Sequence, residues 1–187
     1  MQQQLRAHIE RIVPLTDDEF AFVGSHFTAR TFRRHQFLIQ PGEPVRYFYF
    51  VVQGLLKLVY TDDTGKPHII SFALEDWWES DFQAFYLQTP ATLSLECVEP
   101  TEVLGITLAD YRRMCAGLPK MEHFFLEKAL LGNMAAQNRI LSFLTTSAQQ
   151  RYEQLARRSP QLIRRLPKTL LASYLGVSRE TLSRLSG

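Results

Sequence analysis

Cysteine is nearly absent from this chain of 187 residues, which has only Cys97 and Cys115. Two thiols build no disulfide framework, no four-thiolate iron–sulfur site and no zinc-ligand spacing. Two packed thiols in a reducing compartment are expected, with no metal or redox cofactor. Histidine is equally sparse. His8, His26, His35, His68 and His123 are scattered, and no His-x-His occurs. Neither a cupin-type metal centre, with two histidines and a carboxylate, nor paired haem ligands are in view. Gly65-Lys66 lacks the rest of a phosphate loop, and there is no Gly-x-Ser-x-Gly elbow. Glu75 to Asp81 is rich in acids, but no nucleophile accompanies them, so an enzyme is not expected.

Long apolar runs are missing too. The stretch Tyr47 to Val52 is far too short to span a bilayer, and Met1 to Pro14 has no apolar secretory core. A cytoplasmic protein without membrane contact is therefore expected. Lysine and arginine are absent between Lys66 and Arg112. Whatever that central segment binds, it brings no cation of its own.

What is present is a charge asymmetry. From Arg151 onward there are eight basic residues against two acids, while the first 150 residues hold thirteen basic and seventeen acidic ones. An acidic body with a basic tail suits a sensor joined to a nucleic-acid reader; a solvated basic tail is the plain alternative. Thr16 and Glu19 stand at capping-box spacing, with Leu15 and Phe20 as the staple, so a short helix is predicted to open there and stop near Gly24.

From about Thr28 to Leu108 short apolar stretches alternate with turns. Phe37 to Ile39, Tyr47 to Val52, Leu55 to Tyr60, Ile69 to Leu74, Leu93 to Val98 and Glu102 to Thr107 read as strands. Pro41-Gly42, Gly54 and Asp62 to Gly65 punctuate them, the pattern of an antiparallel sandwich or jelly roll.

Leu118 to about Leu144 reads as one long helix. Phe124, Leu131 and Asn138 fall seven apart, with Met134 and Leu141 on the second position of an imperfect heptad. Gly132 permits close approach of another backbone. A dimer seam is expected along Phe124, Leu131, Met134 and Leu141; a helix lying on its own domain is the alternative. Arg151 to Arg158 reads as a further helix and Gln161 to Leu166 as a strand or hairpin.

The tail carries the sharpest pattern. Ala172 is small where two helices cross, Gly176 can end a helix in the left-handed region, and Ser178 can cap the next. Leu171, Leu175, Leu182 and Leu185 face inward, leaving Ser178, Arg179, Glu180 and Arg184 for base edges or backbone. A surface pair between Glu180 and Arg184 is the bland reading.

Pro41-Gly42-Glu43-Pro44 followed by Tyr47 to Leu58 resembles the cyclic-nucleotide-binding-domain signature. With Ser178-Arg179-Glu180-Thr181 in the tail, the chain resembles the Crp/Fnr family of bacterial transcription regulators from about Leu15 to Leu185. The resemblance implies an α+β protein: an antiparallel β jelly-roll sensor over residues 1–117, a dimerisation helix over 118–145, and a winged helix-turn-helix over 146–187. It also implies a homodimer on a palindromic double-stranded DNA operator, RNA polymerase as a further partner and a small-molecule effector.

The ligand cassette departs from the family. Cyclic-nucleotide binders carry Gly-Glu on a turn and Arg-Ser or Arg-Ala on the next strand. Here Glu75, Trp77, Trp78, Glu79, Ser80 and Phe82 occupy the turn, and Ala91-Thr92 falls where the arginine belongs. Acids crowd the place of a buried phosphate, so poor cyclic AMP binding is expected, in a pocket filled by its own aromatics or suited to an apolar or aromatic effector. The alternative is an effector-binding or interaction module that has lost strong DNA binding, a reading kept open by the chain stopping two residues after Leu185.

Overall fold

The computed structural model describes residues 1–185, which resolve into two compact units, residues 1–128 and residues from 129 onward. The first unit opens with two helices, α1 (Gln2–Glu10) and α2 (Asp17–Ser25). The Thr16 hydroxyl accepts from the Glu19 amide at 3.2 Å, and the Glu19 carboxylate accepts from the Thr16 amide at 2.8 Å, the capping box expected there. The sequence does not announce α1, because its polar outer face masks Leu5, His8 and Ile9, which are buried.

Eight strands follow: β1 (Thr28–Phe32), β2 (Phe37–Ile39), β3 (Phe48–Gln53), β4 (Leu56–Thr61), β5 (Pro67–Ala73), β6 (Trp78–Glu79), β7 (Ser94–Cys97) and β8 (Thr101–Ile106). They form two antiparallel four-stranded sheets in the orders β1-β8-β3-β6 and β2-β7-β4-β5. This is the jelly roll that the turn punctuation predicts, and each strand expected from the sequence is present within a few residues.

Alternation along β3 and β6 decides which side chains go where. In register, Phe50 stands opposite Trp78 and Tyr49 opposite Glu79. Phe48, Phe50 and Trp78 point outward to the helices, where Trp78 meets His8 of α1 and, further along the chain, Phe124 and Phe125. Tyr49 and Glu79 take the other face, between the sheets. The Tyr49 hydroxyl reaches the Leu38 carbonyl of the second sheet, and the Glu79 carboxyl reaches Ser71 on β5.

Two further helices, α3 (Phe82–Leu87) and α4 (Leu108–Gly117), lie within the first unit. Both are short, and neither shows enough periodicity to be read from the sequence. The long helix α5 (Lys120–Thr145) starts just after Pro119, whose carbonyl receives the Glu122 amide; it continues into the second unit. Phe124 does not belong to an exposed seam. It is fully buried against His8, Trp78 and Phe125 in its own unit, because the first turns of α5 cover the outward face of β3. Leu131, Met134 and Leu141 are exposed, as are Leu130, Ile140 and Leu144.

The second unit continues with α6 (Ala148–Arg158), α7 (Pro160–Arg165), α8 (Lys168–Leu175) and α9 (Arg179–Leu185). Gln161 to Leu166 is helical rather than a strand. Pro160 sits in the first turn, where its missing N–H costs nothing, and the Leu162 side chain is buried. Among the described residues no strand lies beyond Ile106, so the expected wing is not formed there.

Gly54, between β3 and β4, has φ +111°, and a Cβ there would lie 2.5 Å from Thr101 Oγ1 and 2.7 Å from the Pro100 carbonyl. Both the backbone conformation and the space demand glycine. Gly54→Ala is expected to destabilise the first unit by about 3 kcal/mol, read as a lower urea midpoint with an unchanged slope.

Candidate functional site

The acid-rich segment does not gather its carboxylates into one cluster. Each finds its own partner. Glu75 accepts from the Gly54 amide at 2.8 Å. Asp76, at φ +64°, pairs with Arg11 at 2.8 Å and accepts from Gln4 at 3.1 Å. Glu79 is fully enclosed between the sheets, accepting from Ser71 Oγ at 2.6 Å and from the Ser80 amide at 3.1 Å. Burial pushes its carboxyl up to about 7, against the pull of those two donors.

Asp81 does most to shape the cassette. It caps α3 by accepting from the Ala84 amide at 3.1 Å, and its second oxygen accepts from the amides of Thr92 and Leu93 at 2.9 and 3.0 Å. The Thr92 hydroxyl adds a fourth contact at 3.3 Å. Burial alone would raise this carboxyl. The three backbone donors outweigh it and hold the group below the ordinary range. Asp81 therefore joins the helix start to the segment holding Ala91 and Thr92. A side chain of the protein consumes the amides that point at this spot.

The aromatic residues of this segment do not share one environment. Trp78 is buried on the helix side of the sheet, its indole N–H donating to His8 Nε2 at 3.1 Å. Trp77 and Phe82 are about half exposed. Ser80, Glu79 and Ala91 are buried, and the Ser80 hydroxyl donates to the Tyr47 carbonyl at 3.2 Å. Within β6 the strand period turns Trp78 and Glu79 to opposite faces, while Trp77 precedes the strand.

In the second unit α8 and α9 meet through Leu171, Ala172, Leu175 and Leu182, all buried. Gly176 takes φ +69° and ends α8, with the Val177 amide returning to the Ala172 carbonyl at 3.0 Å. The Ser178 hydroxyl accepts from the Thr181 amide at 3.1 Å and so caps α9. Arg179, Glu180 and Arg184 are exposed, and among the described residues Glu180 and Arg184 make no ion pair.

A clamp holds this turn, and sequence reasoning missed it. The Arg139 guanidinium stacks 3.7 Å from the Tyr174 ring centroid and donates to the Tyr174 carbonyl at 3.0 Å. Arg151 donates to the Leu175 carbonyl at 3.1 Å and to the Thr146 carbonyl at 2.7 Å. Phe143 lies between the two guanidinium groups, at 4.9 and 4.8 Å. The last carbonyls of α8 are thus satisfied by arginines from α5 and α6.

Residues 29–117 match the family described as Cyclic nucleotide-binding domain. The chain is 27% identical over 164 residues to the Transcriptional regulatory protein btr of Bordetella pertussis, covering 81% of this chain and 66% of that protein. It therefore spans just under two thirds of that relative's length. Its fold is similar to the c-di-GMP responsive global regulator CLP of Xanthomonas campestris, with a TM-score of 0.73 at 13% identity, over 91% of this chain and 89% of that one. FixK2 from Bradyrhizobium japonicum gives 0.69 at 20%, over 86% and 82%. The catabolite activator protein of Thermus thermophilus gives 0.60 at 21%, over 96% and 84%. Residues 29–117 are thus similar to a cyclic nucleotide-binding domain, and the fold is similar to that of these regulators.

Glu79 and Asp81 are the two acids of the cassette that lie buried. The folded protein keeps a proton on Glu79 that the unfolded chain, at an ordinary carboxyl value of 4.5, has already released near neutrality. The native state binds more protons between those values, so this residue's contribution to stability is lost as pH rises from 4.5 through about 7. Glu79→Gln removes the titration. The melting temperature of the variant is expected to gain about 5 °C on wild type between pH 5 and pH 8. A difference independent of pH would show that Glu79 is ionised in the folded state.

Proposed function

We propose that this chain is a regulator of the Crp/Fnr type, cytoplasmic and homodimeric, that reads a palindromic double-stranded operator with α9. The observation that carries the reading is the α8–Gly176–α9 unit. It has an apolar inner face, an outer face bearing Arg179, Glu180 and Arg184, and a turn fixed by the Arg139 and Arg151 clamp. An arginine in the first turn of such a helix can give two hydrogen bonds to a guanine edge, and a glutamate can accept from cytosine. The relative from Bordetella pertussis bears the name of a transcriptional regulator, which supports the same role here.

Dimerisation is assigned to the exposed apolar residues of α5, with Leu131, Met134 and Leu141 at the heptad positions and Phe124 excluded. A methyl group placed on Gly132 would meet no atom within 4 Å, which leaves room for a second backbone.

The cassette is read as degenerate toward cyclic nucleotides. Asp81 already takes the amides of Ala84, Thr92 and Leu93, and Glu79 lies between the sheets. A cyclic phosphate entering here would face a carboxylate in place of donors and no arginine. Isothermal titration with cyclic AMP is expected to show no binding below about 1 mM; micromolar affinity would overturn the reading.

DNA reading is tested by binding-site selection with wild type, Arg179→Ala and Arg164→Ala. Arg179→Ala should cost about 1–3 kcal/mol and relax preference at one base position. Loss of Arg164, on α7, should weaken all sequences alike and flatten the salt dependence. If folded Arg179→Ala selects the same motif with the same affinity, α9 is not the reader and the interaction-module alternative takes its place.

A further inference from the structure

A cleft of about 400 Å³ opens beside the cassette, within the usual range for a small ligand. Its lining combines Arg30 of β1 and Leu38 of β2 with Glu43, Pro44 and Arg46 of the loop before β3, and it is completed by Tyr47 and Tyr49. The long cation-free stretch of the sequence gives no hint of it, because both arginines come from residues before Lys66. Among the described residues, neither guanidinium makes an ion pair. With Glu43 counted, the lining carries one net positive charge, which matches a monoanion.

The arginines are not equivalent. Arg30 stacks 4.5 Å from the Tyr47 ring centroid, and that ring lies against Gly105, where a Cβ would come within 3.1 Å of it. Stacking fixes the guanidinium plane; one donor is engaged by the Tyr49 hydroxyl, and the others lie at the edge, where a carboxylate can accept. Tyr49 stays a neutral hydroxyl, since burial pushes it up to about 12 against the effect of Arg30 beside it. The lining is mainly polar, and Leu38, Pro44 and the two rings supply its smaller apolar part, against which a flat body can lie.

The walls are tied to the cassette. The Ala91 amide donates to the Glu43 carbonyl at 2.9 Å, and the Gly42 amide to the Ala91 carbonyl at 2.8 Å. Ser80 holds the Tyr47 carbonyl. An occupant ordering Glu43 to Tyr47 would act directly on Ser80 and Ala91, the segment that Asp81 fastens to α3. We propose that this cleft is the effector site, and that it takes a compact aromatic monocarboxylate. The proposal goes beyond DNA reading and does not depend on it.

The test is calorimetric titration of the full chain with benzoate, with benzamide as the uncharged analogue and inorganic phosphate as the competing anion. Benzoate is expected to bind and to raise the melting temperature, with benzamide and phosphate at least tenfold weaker. Arg30→Gln and Arg46→Gln should each weaken benzoate about tenfold, and Glu43→Gln should tighten it several-fold by removing repulsion. The tightening arm does not depend on damage to the fold. Absence of benzoate binding at about 10 mM, equal binding of benzamide, preference for phosphate, or folded variants that all bind like wild type would each overturn the proposal. DNA selection by wild type is scored separately, so failure here leaves the reading of α9 untouched.

Discussion

The first unit depends on where Trp78 lies. Its ring meets His8 of α1, Phe48 and Phe50 of β3, and Phe124 and Phe125 of α5, so one side chain ties sheet and helices together. The indole N–H needs an acceptor in this apolar setting, and His8 Nε2 supplies it. That requires a neutral histidine. Burial, helped by Lys128, lowers His8 to about 4, well below neutrality. The remaining Nδ1 has no partner among the described residues, a cost the aromatic contacts offset.

Placing Trp78 outward fixes the chemistry of the roll. Its neighbour Glu79 has no choice but to face inward, and a carboxyl enclosed there holds its proton near neutrality. Asp81, two residues further on, reaches both the start of α3 and the segment before β7. The cassette thus closes on itself through backbone amides and one carboxylate. The same strand alternation that buries the tryptophan leaves Tyr49 on the inner face, where it lines a different opening with Arg30.

The second unit solves another problem, which is to hold a short turn rigidly enough for its outer residues to keep their places. Leucines alone fix the crossing of α8 and α9 but not the carbonyls at the end of α8. Arg139 and Arg151 satisfy those carbonyls and grip Phe143 between them. A Cβ at Gly176 would lie 2.9 Å from the Phe143 ring, so the glycine serves both the left-handed turn and this contact.

Local chemistry settles a good deal of this protein from sequence alone. Turn residues and short apolar runs mark the strands, Thr16 and Glu19 mark a cap, and Ala172, Gly176 and Ser178 mark the helical turn, because each acts through neighbours within about four residues. Signals that need a partner distant in the chain are illegible there. Phe124 fits a heptad equally well as seam or core, and only the outward face of β3, some seventy residues earlier, makes it core. The acids from Glu75 to Asp81 read as one cluster, since sequence shows proximity along the chain and not the direction a strand gives each side chain. Arg30 and Arg46 join Tyr47 and Tyr49 only when β1, β2 and the loop before β3 come together, because long-range strand pairing decides which cations share a cleft.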